Sequence, residues 1–509
     1  MQTQVQSQMI KTRSTIIILF FFSQFASAKH ISFEISGANN LPANGRMIVL
    51  LNLNTSKEPR LAMLDAGPHA PPIFGADVKK WNWQKNFIID GKAMGYPYNS
   101  LDDIPAGVYS VQVLYDVDSF YSSINAPGNY YCQPMTIKID TGCSNFKIIL
   151  DRQVPDEVMP PSSQYVRYVK IQSKILSNFW KHPMYLRAGV LLPHGYDSGA
   201  GKRYTVRYNI GGYGARYTRA DKFNYDTSFN HLWLSPGTAQ MIMVFLDGEA
   251  PFGDSYQMNS ANNGPYADAT LKELIPYIEA QYHALATPQS RFLDGGSTGG
   301  WAALALQIYF PDFFNGVWAY SPDPVDFHYY ETVNLYDDDN AYTDKNGQET
   351  SSARDTSGHS YYTIRQEVQM ENVIARHNMY CYSGYQWGAW NAIYSPRLKG
   401  GRPKPVWDPV TGKIDHNVAK EWKTWDLKDY MATHWKTLGP KLQGKIHIWT
   451  GELDDYYLNN AVHSLDSYLK TTTNPKSDAQ IYFHPHKGHI WKGITEADLM
   501  QAMAARVGK

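Results

Sequence analysis

The chain has 509 residues, of which 43% are hydrophobic and 18% are charged. Its 47 basic residues balance its 47 acidic ones. This composition excludes a globally disordered chain, argues against a nucleic-acid or other polyanion binder, and leaves room for about three domains.

The first 28 residues predict a cleaved signal peptide. Lys11 and Arg13 precede an apolar run at 15–22, and residues 26–28 (Ala-Ser-Ala) have the small side chains of a cleavage site. A membrane anchor is the alternative, but it needs about 20 apolar residues, and Ser23 ends this run early. We therefore expect an exported protein, secreted or periplasmic, without a membrane anchor after the leader is removed.

Residues 29–150 predict an all-β domain. Short apolar and β-branched runs alternate with turn residues there, and no helical periodicity of useful length interrupts them. The predicted strands cover residues 31–35, 46–52, 107–115 and 146–150. A β-sandwich is the natural arrangement for this pattern. The proline-rich segment 151–164 predicts a linker.

The three cysteines are interpreted in the light of export, which permits disulfides. Cys132 and Cys143 lie close together in the sequence and are candidates for a bridge, which leaves Cys381 either buried or as an unpaired thiol. Their spacing is not that of a zinc site. The oxygen-rich segment 337–340 lacks the closing glutamate of a calcium loop and predicts a solvated turn. No metal and no cofactor are therefore predicted.

From residue 165 to 509, strand patterns alternate with helix patterns. The predicted strands cover residues 204–210, 240–246, 290–294, 316–320, 445–450 and 480–484. The predicted helices cover 267–283, 301–309, 459–470 and a C-terminal segment from 496. Such alternation predicts βαβ units and a mostly parallel sheet covered by helices, that is, an α/β domain.

A long segment at about 322–440 interrupts this alternation and is interpreted as a lid insertion over the carboxyl edge of the sheet. Tryptophans are dense in it. They suit either stacking on sugar or aryl rings or packing of the insertion against the sheet. These tryptophans are Trp387, Trp390, Trp407, Trp422, Trp425 and Trp435.

A pentapeptide at 295–299, Gly-Gly-Ser-Thr-Gly, lies between a predicted strand and a predicted helix. G-x-S-x-G at a strand-to-helix joint is typical of a nucleophile elbow, with Ser297 as the nucleophile. The flanking glycines make room for a serine held at strained backbone angles.

A serine hydroxyl needs a general base and an acid that orients the base. In this fold the acid and then the histidine follow the serine along the chain. Asp454 follows the predicted strand 445–450, and His489 follows 480–484, so both reach the sheet edge that carries Ser297. Asp455 and Glu452 remain alternatives for the acid, and His484 and His486 for the base.

Negative charge on the substrate oxygen requires preorganised donors. The backbone N–H of Thr298, directly after the nucleophile, is one predicted donor. The other is the N–H of Tyr213, which follows Gly211 and Gly212 after the strand 204–210. Alternatively, these glycines only make a tight turn.

Several of these segments together resemble the esterase family of α/β-hydrolases, which includes feruloyl and acetylxylan esterases, S-formylglutathione hydrolase and siderophore esterases. The segments are 191–197 (LLPHGYD), 203–206 (RYTV), the 211–212 turn, 273–279 (ELIPYIE), the elbow with Gly300, and 309–314 (YFPDFF). The resemblance implies an α/β-hydrolase fold and metal-independent hydrolysis of carboxylic esters by Ser297, Asp454 and His489.

Two positions depart from the family pattern. Ile210 precedes the glycine pair where many members have His-Gly, and Thr298 stands where a methionine or another large residue is common. We expect an exported serine esterase for small-molecule or glycan-linked esters. The alternatives are a serine peptidase or acyltransferase with the same triad, or a carbohydrate-binding protein that has lost catalysis. The oligomeric state is not predicted.

Overall fold

The computed structural model describes residues 29–507 except 38–39, 54–55, 57, 63–64 and 197–200. The predicted signal peptide, residues 1–28, lies outside the described residues. None of the helices that the structure describes has the length and apolar character needed to cross a bilayer.

The described residues up to Gln153 form ten strands in two sheets. They are β1 (Ile31–Gly37), β2 (Gly45–Asn52), β3 (Ile73–Val78), β4 (Phe87–Ile89), β5 (Met94–Tyr96), β6 (Gly107–Asp116), β7 (Tyr130–Tyr131), β8 (Met135–Ile139), β9 (Ser144–Leu150) and β10 (Arg152–Gln153). One sheet has the order β4-β1-β9. The other has the order β10-β7-β6-β2-β3-β5, with β8 paired to β6. Because β10 pairs with β7, the predicted linker 151–164 begins inside this sheet.

The two sheets share one apolar core. Phe33 of β1 stacks on Phe146 of β9 with ring centroids 5.4 Å apart, and both pack in one cluster with Val49 and Val113 of the larger sheet. This is the predicted β-sandwich, and the four predicted strands correspond to β1, β2, β6 and β9. Burial of alternate side chains drives the association of the two faces.

The remainder of the chain is an α/β unit. Its strands are β11 (Val166–Ser173), β12 (Met184–Leu191), β13 (Thr205–Ile210), β14 (Met241–Leu246), β15 (Glu249–Ala250), β16 (Gly253–Asp254), β17 (Asn259–Ser260), β18 (Gly264–Pro265), β19 (Arg291–Ser297), β20 (Val317–Pro322), β21 (Ser351–Arg354), β22 (Ser360–Thr363), β23 (Ile446–Gly451) and β24 (Gln480–His484). Its helices are α1 (Lys174–Trp180), α2 (Lys222–Tyr225), α3 (Thr227–Leu234), α4 (Tyr266–Ala269), α5 (Ile275–Gln281), α6 (Thr298–Tyr309), α7 (Ile364–Ile374), α8 (Gln386–Tyr394), α9 (His416–Trp422), α10 (Leu427–Leu442), α11 (Leu458–Thr471) and α12 (Glu496–Ala504).

The main sheet of this unit has the order β11-β12-β14-β13-β19-β20-β23-β24. Its strands are parallel from β14 to β24, whereas β11 and β12 form an antiparallel edge. The six predicted strands correspond to β13, β14, β19, β20, β23 and β24, and the α/β-hydrolase fold is therefore confirmed. The carboxyl ends of β19, β20, β23 and β24 meet at one edge, where parallel sheets place their sites.

The segment between β20 and β23 contains β21, β22 and α7 to α10, and its buried aromatic side chains join the apolar core of the main sheet. Trp387, Trp390, Trp407 and Trp422 are each at most 2% exposed. The ring of Trp387 lies 4.6 Å from those of both Trp390 and Trp407. These four indoles therefore pack where the insertion meets the main sheet, which is the second of the two predicted roles, and Trp390 also reaches the cavity described below.

Helix α7 joins the insertion to the sandwich. Its Met370, Val373 and Ile374 pack in one apolar cluster with side chains from the outer face of the larger sandwich sheet. The buried guanidinium of Arg46 donates a 2.8 Å hydrogen bond to the carbonyl of Val373 and another to the carboxylate of Asp77. The sandwich thus fixes the position of α7 by both apolar contact and charge-assisted hydrogen bonds.

The candidate disulfide between Cys132 and Cys143 is not formed. Cys132 points into the sandwich core, where its sulfur accepts a hydrogen bond from the N–H of Val113, and burial raises the pKa of its thiol to about 11. Cys143 lies on the surface ahead of β9, so no bridge joins it to Cys132. Cys381 is a buried thiol in the insertion. Short sequence spacing carries no information on the direction of the two side chains.

Gly75 tests the contact between the sandwich and α7. A Cβ at this position of β3 would lie 2.0 Å from the backbone carbonyl of Val373. We expect Gly75→Ala to lower the free energy of unfolding by about 1–3 kcal/mol, measured by urea denaturation, because neither backbone can yield freely. Gly142→Ala is the control, since no atom lies within 4 Å of its added Cβ. Equal stability of the two variants would contradict the packing described here.

Candidate active site

Ser297 occupies a sharp turn between β19 and α6. Its backbone angles are φ 56° and ψ −129°, a strained combination for a residue with a side chain. A Cβ on Gly295 would lie 2.3 Å from the carbonyl of Gly299, and one on Gly299 would lie 2.1 Å from the carbonyl of Ile210. Both glycines of the predicted elbow are therefore required by backbone contacts.

Asp454 and His489 are brought together by the loops that follow β23 and β24. The Nδ1 atom of His489 lies 2.9 Å from Oδ2 of Asp454. The other carboxylate oxygen, Oδ1, accepts backbone N–H groups from Tyr456 at 3.1 Å and Leu458 at 3.2 Å. The carboxylate is fully buried. Both carboxylate oxygens are thus held by hydrogen bonds, and Oδ2 fixes the orientation of the imidazole. The other ring nitrogen, Nε2, has no hydrogen-bond partner among the described residues.

The loop that carries His489 is held against the ends of two strands. The N–H of Ile490 donates a 3.1 Å hydrogen bond to the hydroxyl of Ser321, which lies in β20 beside the elbow. Gly451, the last residue of β23, approaches the same loop so closely that a Cβ there would lie 2.0 Å from the carbonyl of Lys487. Ser297 and His489 consequently line the same cavity, which has a volume of about 410 Å³.

The alternative acids and bases have other surroundings. Glu452 accepts a 2.9 Å hydrogen bond from His463. His484 packs against the ring of Trp491 at 5.1 Å and accepts the N–H of His486. The lining of the cavity that contains Ser297 includes none of the four alternatives, Glu452, Asp455, His484 and His486. Asp455 lines an adjoining cavity instead.

The pKa of His489 is raised above its ordinary value. Burial alone lowers it, but the hydrogen bond that the imidazole donates to Asp454 and the negative charges of Asp454, Asp323 and Asp455 outweigh burial. A raised pKa favours the imidazolium that forms when a histidine takes a proton from a serine.

The two predicted oxyanion donors belong to segments that lie beside Ser297. Thr298 is the first residue of α6, and the N–H groups of a helical first turn have no intrahelical acceptor. Tyr213 lines the cavity, and its N–H has no acceptor among the described residues. A Cβ on Gly212 would lie 3.7 Å from the Cβ of Ser297, so this turn passes directly beside the elbow.

Asp323, which was not among the predicted site residues, contacts Ser297. Ser297 Oγ donates a 3.4 Å hydrogen bond to its Oδ1. Its Oδ2 accepts hydrogen bonds from Tyr256 at 2.7 Å, Thr298 at 3.0 Å and Trp390 at 3.1 Å. Burial raises the pKa of this carboxyl, and the three donors lower it in part.

The polar network of Asp323 explains one departure from the family pattern. Thr298 stands where a large residue is common, and its hydroxyl is a donor to Asp323. A sequence signal for Asp323 did exist. It comes directly after the predicted strand 316–320 and thus at the carboxyl edge, next to the strand that leads to Ser297.

The insertion forms much of the cavity wall. The lining residues are Gly212, Tyr213, Ala215, Ser297, Asp323, Glu331, Tyr362, Glu367, Met370, Glu371, Tyr385, Gln386, Trp390, Tyr456, Leu458, His489 and Ile490. A second cavity of about 460 Å³ shares Tyr362, Glu367, Met370 and Tyr456 with the first and reaches Asp65 and Ala66 of the sandwich. The two cavities therefore adjoin, and both the insertion and the sandwich border them.

One cluster outside the cavity has the composition of a metal site. Ligand atoms of Asp326, His328 and Asp426 lie within 4.8 Å of one another. However, the ammonium of Lys428 lies 2.8 Å from Asp326 and neutralises its charge. Asp426 accepts hydrogen bonds from the N–H of Phe327 and from other groups. The cluster is accounted for as an ion-pair network within the insertion.

Comparison with known proteins places this site in a family context. A model of the family described as "Putative esterase" matches residues 183–503. No curated protein sequence matches the chain. Among solved structures, the chain is similar to an S-formylglutathione hydrolase from Agrobacterium tumefaciens, with 13% identity over 67% of this chain and 95% of that one and a TM-score of 0.39.

Two further solved structures are similar to the chain. One is a ferulic acid esterase from Anaeromyces mucronatus, with 14% identity over 69% of this chain and 92% of that one and a TM-score of 0.31. The other is the fluorophosphonate-binding serine hydrolase F of Staphylococcus aureus, with 15% identity over 68% of this chain and 100% of that one and a TM-score of 0.38.

Asp323 predicts a shift in the pH dependence of the site. Its negative charge helps to raise the pKa of His489, and only the neutral imidazole acts as a base. In Asp323→Asn the pKa of His489 falls, so the acidic limb of kcat/KM for p-nitrophenyl acetate moves to lower pH. Glu421→Gln, at an exposed carboxylate, leaves the limb in place. An unmoved limb, or one moved to higher pH, in Asp323→Asn would refute this coupling.

Proposed function

The chain belongs to the esterase family and is a carboxylic ester hydrolase, and we propose that it acts through a triad of Ser297, His489 and Asp454. The observation that carries the proposal is the 2.9 Å contact between His489 Nδ1 and Asp454 Oδ2 at the cavity that Ser297 lines. We also propose that the enzyme is exported, on the pattern of its first 28 residues.

In the acylation step, Nε2 of His489 removes the proton from Ser297 Oγ as that oxygen attacks the ester carbonyl. The negative charge of Asp454 stabilises the resulting imidazolium, and its hydrogen bond holds the ring in the required tautomer. The strained turn at Ser297 contributes by presenting Oγ at the cavity instead of along the axis of α6.

The carbonyl oxygen becomes negatively charged in the tetrahedral intermediate. The N–H groups of Thr298 and Tyr213 stabilise that charge, helped by the partial positive charge at the N-terminus of α6. His489 then donates its proton to the departing alcohol oxygen, which leaves an acyl-enzyme on Ser297. Water, deprotonated by His489, attacks the acyl carbon in the second half of the reaction and releases the acid.

Esters carried on carbohydrate are the substrate class that we propose to test first. The cavity wall has the flat side chains Tyr362, Tyr385, Trp390 and Tyr456, which suit aryl acyl groups or sugar rings. The adjoining second cavity leaves room for a substrate larger than a simple acyl ester. Acetylated xylan, feruloylated sugars and simple acyl esters, compared by kcat/KM, would rank these possibilities.

Ser297→Ala tests the nucleophile. We expect hydrolysis of p-nitrophenyl acetate to fall by about four orders of magnitude or more, because the members of a triad act as a unit. Labelling by a fluorophosphonate probe is lost at the same time. Ser357→Ala is the control, since Ser357 is an exposed serine of the insertion. Retained labelling or retained turnover in Ser297→Ala would refute the assignment.

A further inference from the structure

The cavity beside Ser297 is acidic. Asp323, Glu331, Glu367 and Glu371 belong to its wall, and His489 is the one basic side chain among its lining residues. A cavity of this kind attracts a positively charged group and repels an anionic one.

Two of the four carboxyl groups are already engaged by the protein. Asp323 accepts the hydrogen bonds described above. Glu371 accepts the backbone N–H groups of Trp387 and Gly388 and the hydroxyl of Ser383, so it caps the N-terminus of α8. Both have a structural reason to be buried that needs no ligand.

Glu331 and Glu367 are different, because they share a single hydroxyl. Ser352 Oγ lies 2.8 Å from Oε2 of Glu331 and 2.6 Å from Oε2 of Glu367, but it has only one proton to donate. Glu367 also accepts the indole N–H of Trp387 at 2.9 Å. Neither Oε1 atom has a donor among the described residues, although the side chain of Glu331 is almost fully buried.

No lysine or arginine among the described residues forms an ion pair with these two carboxyl groups, and Arg354, which lines the second cavity with Glu367, donates its hydrogen bonds elsewhere. No salt bridge reaches either of them, and no lysine or arginine lines the cavity in the part of the chain that the structure describes. Two adjacent carboxylates, one almost fully buried and one partly buried, are unfavourable unless a proton or a cation lies between them. The two Oε1 atoms that lack a hydrogen-bond donor therefore mark a position where the positive charge of a ligand would be stabilised.

Aromatic side chains complete this part of the wall. Tyr362, Tyr385, Trp390 and Tyr456 line the same cavity. The faces of such rings attract an ammonium ion, and the attraction is strongest where water is excluded. Carboxylates and aromatic faces together are thus suited to an organic cation, and less suited to an anionic group.

We propose that this esterase acts on esters that carry an ammonium group, which binds between Glu331, Glu367 and the aromatic wall while Ser297 attacks the carbonyl. The inference rests on the proposed function, because it takes the cavity beside Ser297 as the substrate site. It assigns Glu331 and Glu367 to substrate recognition.

The two carboxyl groups also connect substrate charge with pH. Burial raises the pKa of both groups, so each holds its proton more tightly than an exposed glutamate. A bound cation favours their ionised forms, and preference for a cationic ester therefore rises with pH. The other titratable groups that face them or line the same two cavities are Asp65, Tyr213, Asp323, Arg354, Tyr361, Tyr362, Glu371, Tyr385, Asp454, Asp455, Tyr456 and His489.

The test compares two esters of the same shape. Acetylthiocholine carries a quaternary ammonium group, and 3,3-dimethylbutyl thioacetate has a carbon atom in place of that nitrogen. Both require the same catalytic steps, so the ratio of their kcat/KM values reports recognition of the charge. We expect the wild-type enzyme to prefer the cationic ester by about tenfold or more, and this preference to increase with pH.

Variants then test whether Glu331 and Glu367 recognise the positive charge of the ester. In Glu331→Gln and in Glu331→Gln/Glu367→Gln we expect the ratio to fall toward one, mainly through KM for the cationic ester. Glu421→Gln, at an exposed site, keeps the wild-type ratio. A measurement on the wild-type enzyme alone guards against misfolded variants: tetramethylammonium chloride should inhibit hydrolysis of the neutral ester more than sodium chloride at the same concentration.

The outcomes separate this inference from the proposed function. Absence of hydrolysis of both thioesters and of p-nitrophenyl acetate would refute the esterase site itself. Hydrolysis of both thioesters with a ratio of one or less, and no specific inhibition by tetramethylammonium, overturns the cation site and leaves the esterase in place. A cationic preference that folded Glu331→Gln and double variants retain overturns the assignment to these two residues.

Discussion

The backbone contact between α6 and the ends of β13 and β19 is the constraint on which the site depends. At Gly295 and Gly299 the chains approach so closely that a single added carbon would overlap carbonyl oxygens. This contact leaves no alternative path for the turn, and it therefore keeps Ser297 at its strained backbone angles. It also places the start of α6 beside the turn at Gly212, so that two amide donors and one hydroxyl share a small volume.

The sandwich contributes to this site through α7, although it supplies no catalytic residue. One side of α7 packs on the larger sandwich sheet, where Arg46 hydrogen-bonds the carbonyl of Val373. Glu367, Met370 and Glu371 of the same helix line the cavity. Because α7 is a rigid helix, its packing on the sandwich also fixes the positions of the side chains that it contributes to the cavity wall. Packing against the N-terminal sandwich thus determines where part of the cavity wall lies in the C-terminal unit.

The sequence predicted those parts of the molecule that local patterns encode. Apolar runs between turn residues located most strands of the main sheet, and the chain order of serine, acid and histidine led to Asp454 and His489. The edge strands β11 and β12 were missed, and so were the partners of Asp323. Arg46 and Val373 lie more than 300 positions apart, and no pattern of sequence spacing predicts a contact between them. Whether Cys132 and Cys143 are bridged could not be predicted for the same reason, because proximity along the chain is no guide to a core position that depends on distant strands.

The carboxyl groups around Ser297 are unfavourable for the proposed reaction when they are ionised. Their negative charge near the substrate carbonyl would destabilise the oxyanion that forms there. The charge of Asp323 is spread over three donors on one oxygen, and it also stabilises the imidazolium of His489, which forms in the same step as the oxyanion. Burial raises the pKa values of Glu331 and Glu367, so both ionise less readily than exposed glutamates and oppose the oxyanion less. A bound ammonium group makes them ionise but cancels their charge locally. On this proposal the field at the oxyanion stays favourable in both cases, and a cationic substrate ionises these groups without slowing the chemical step.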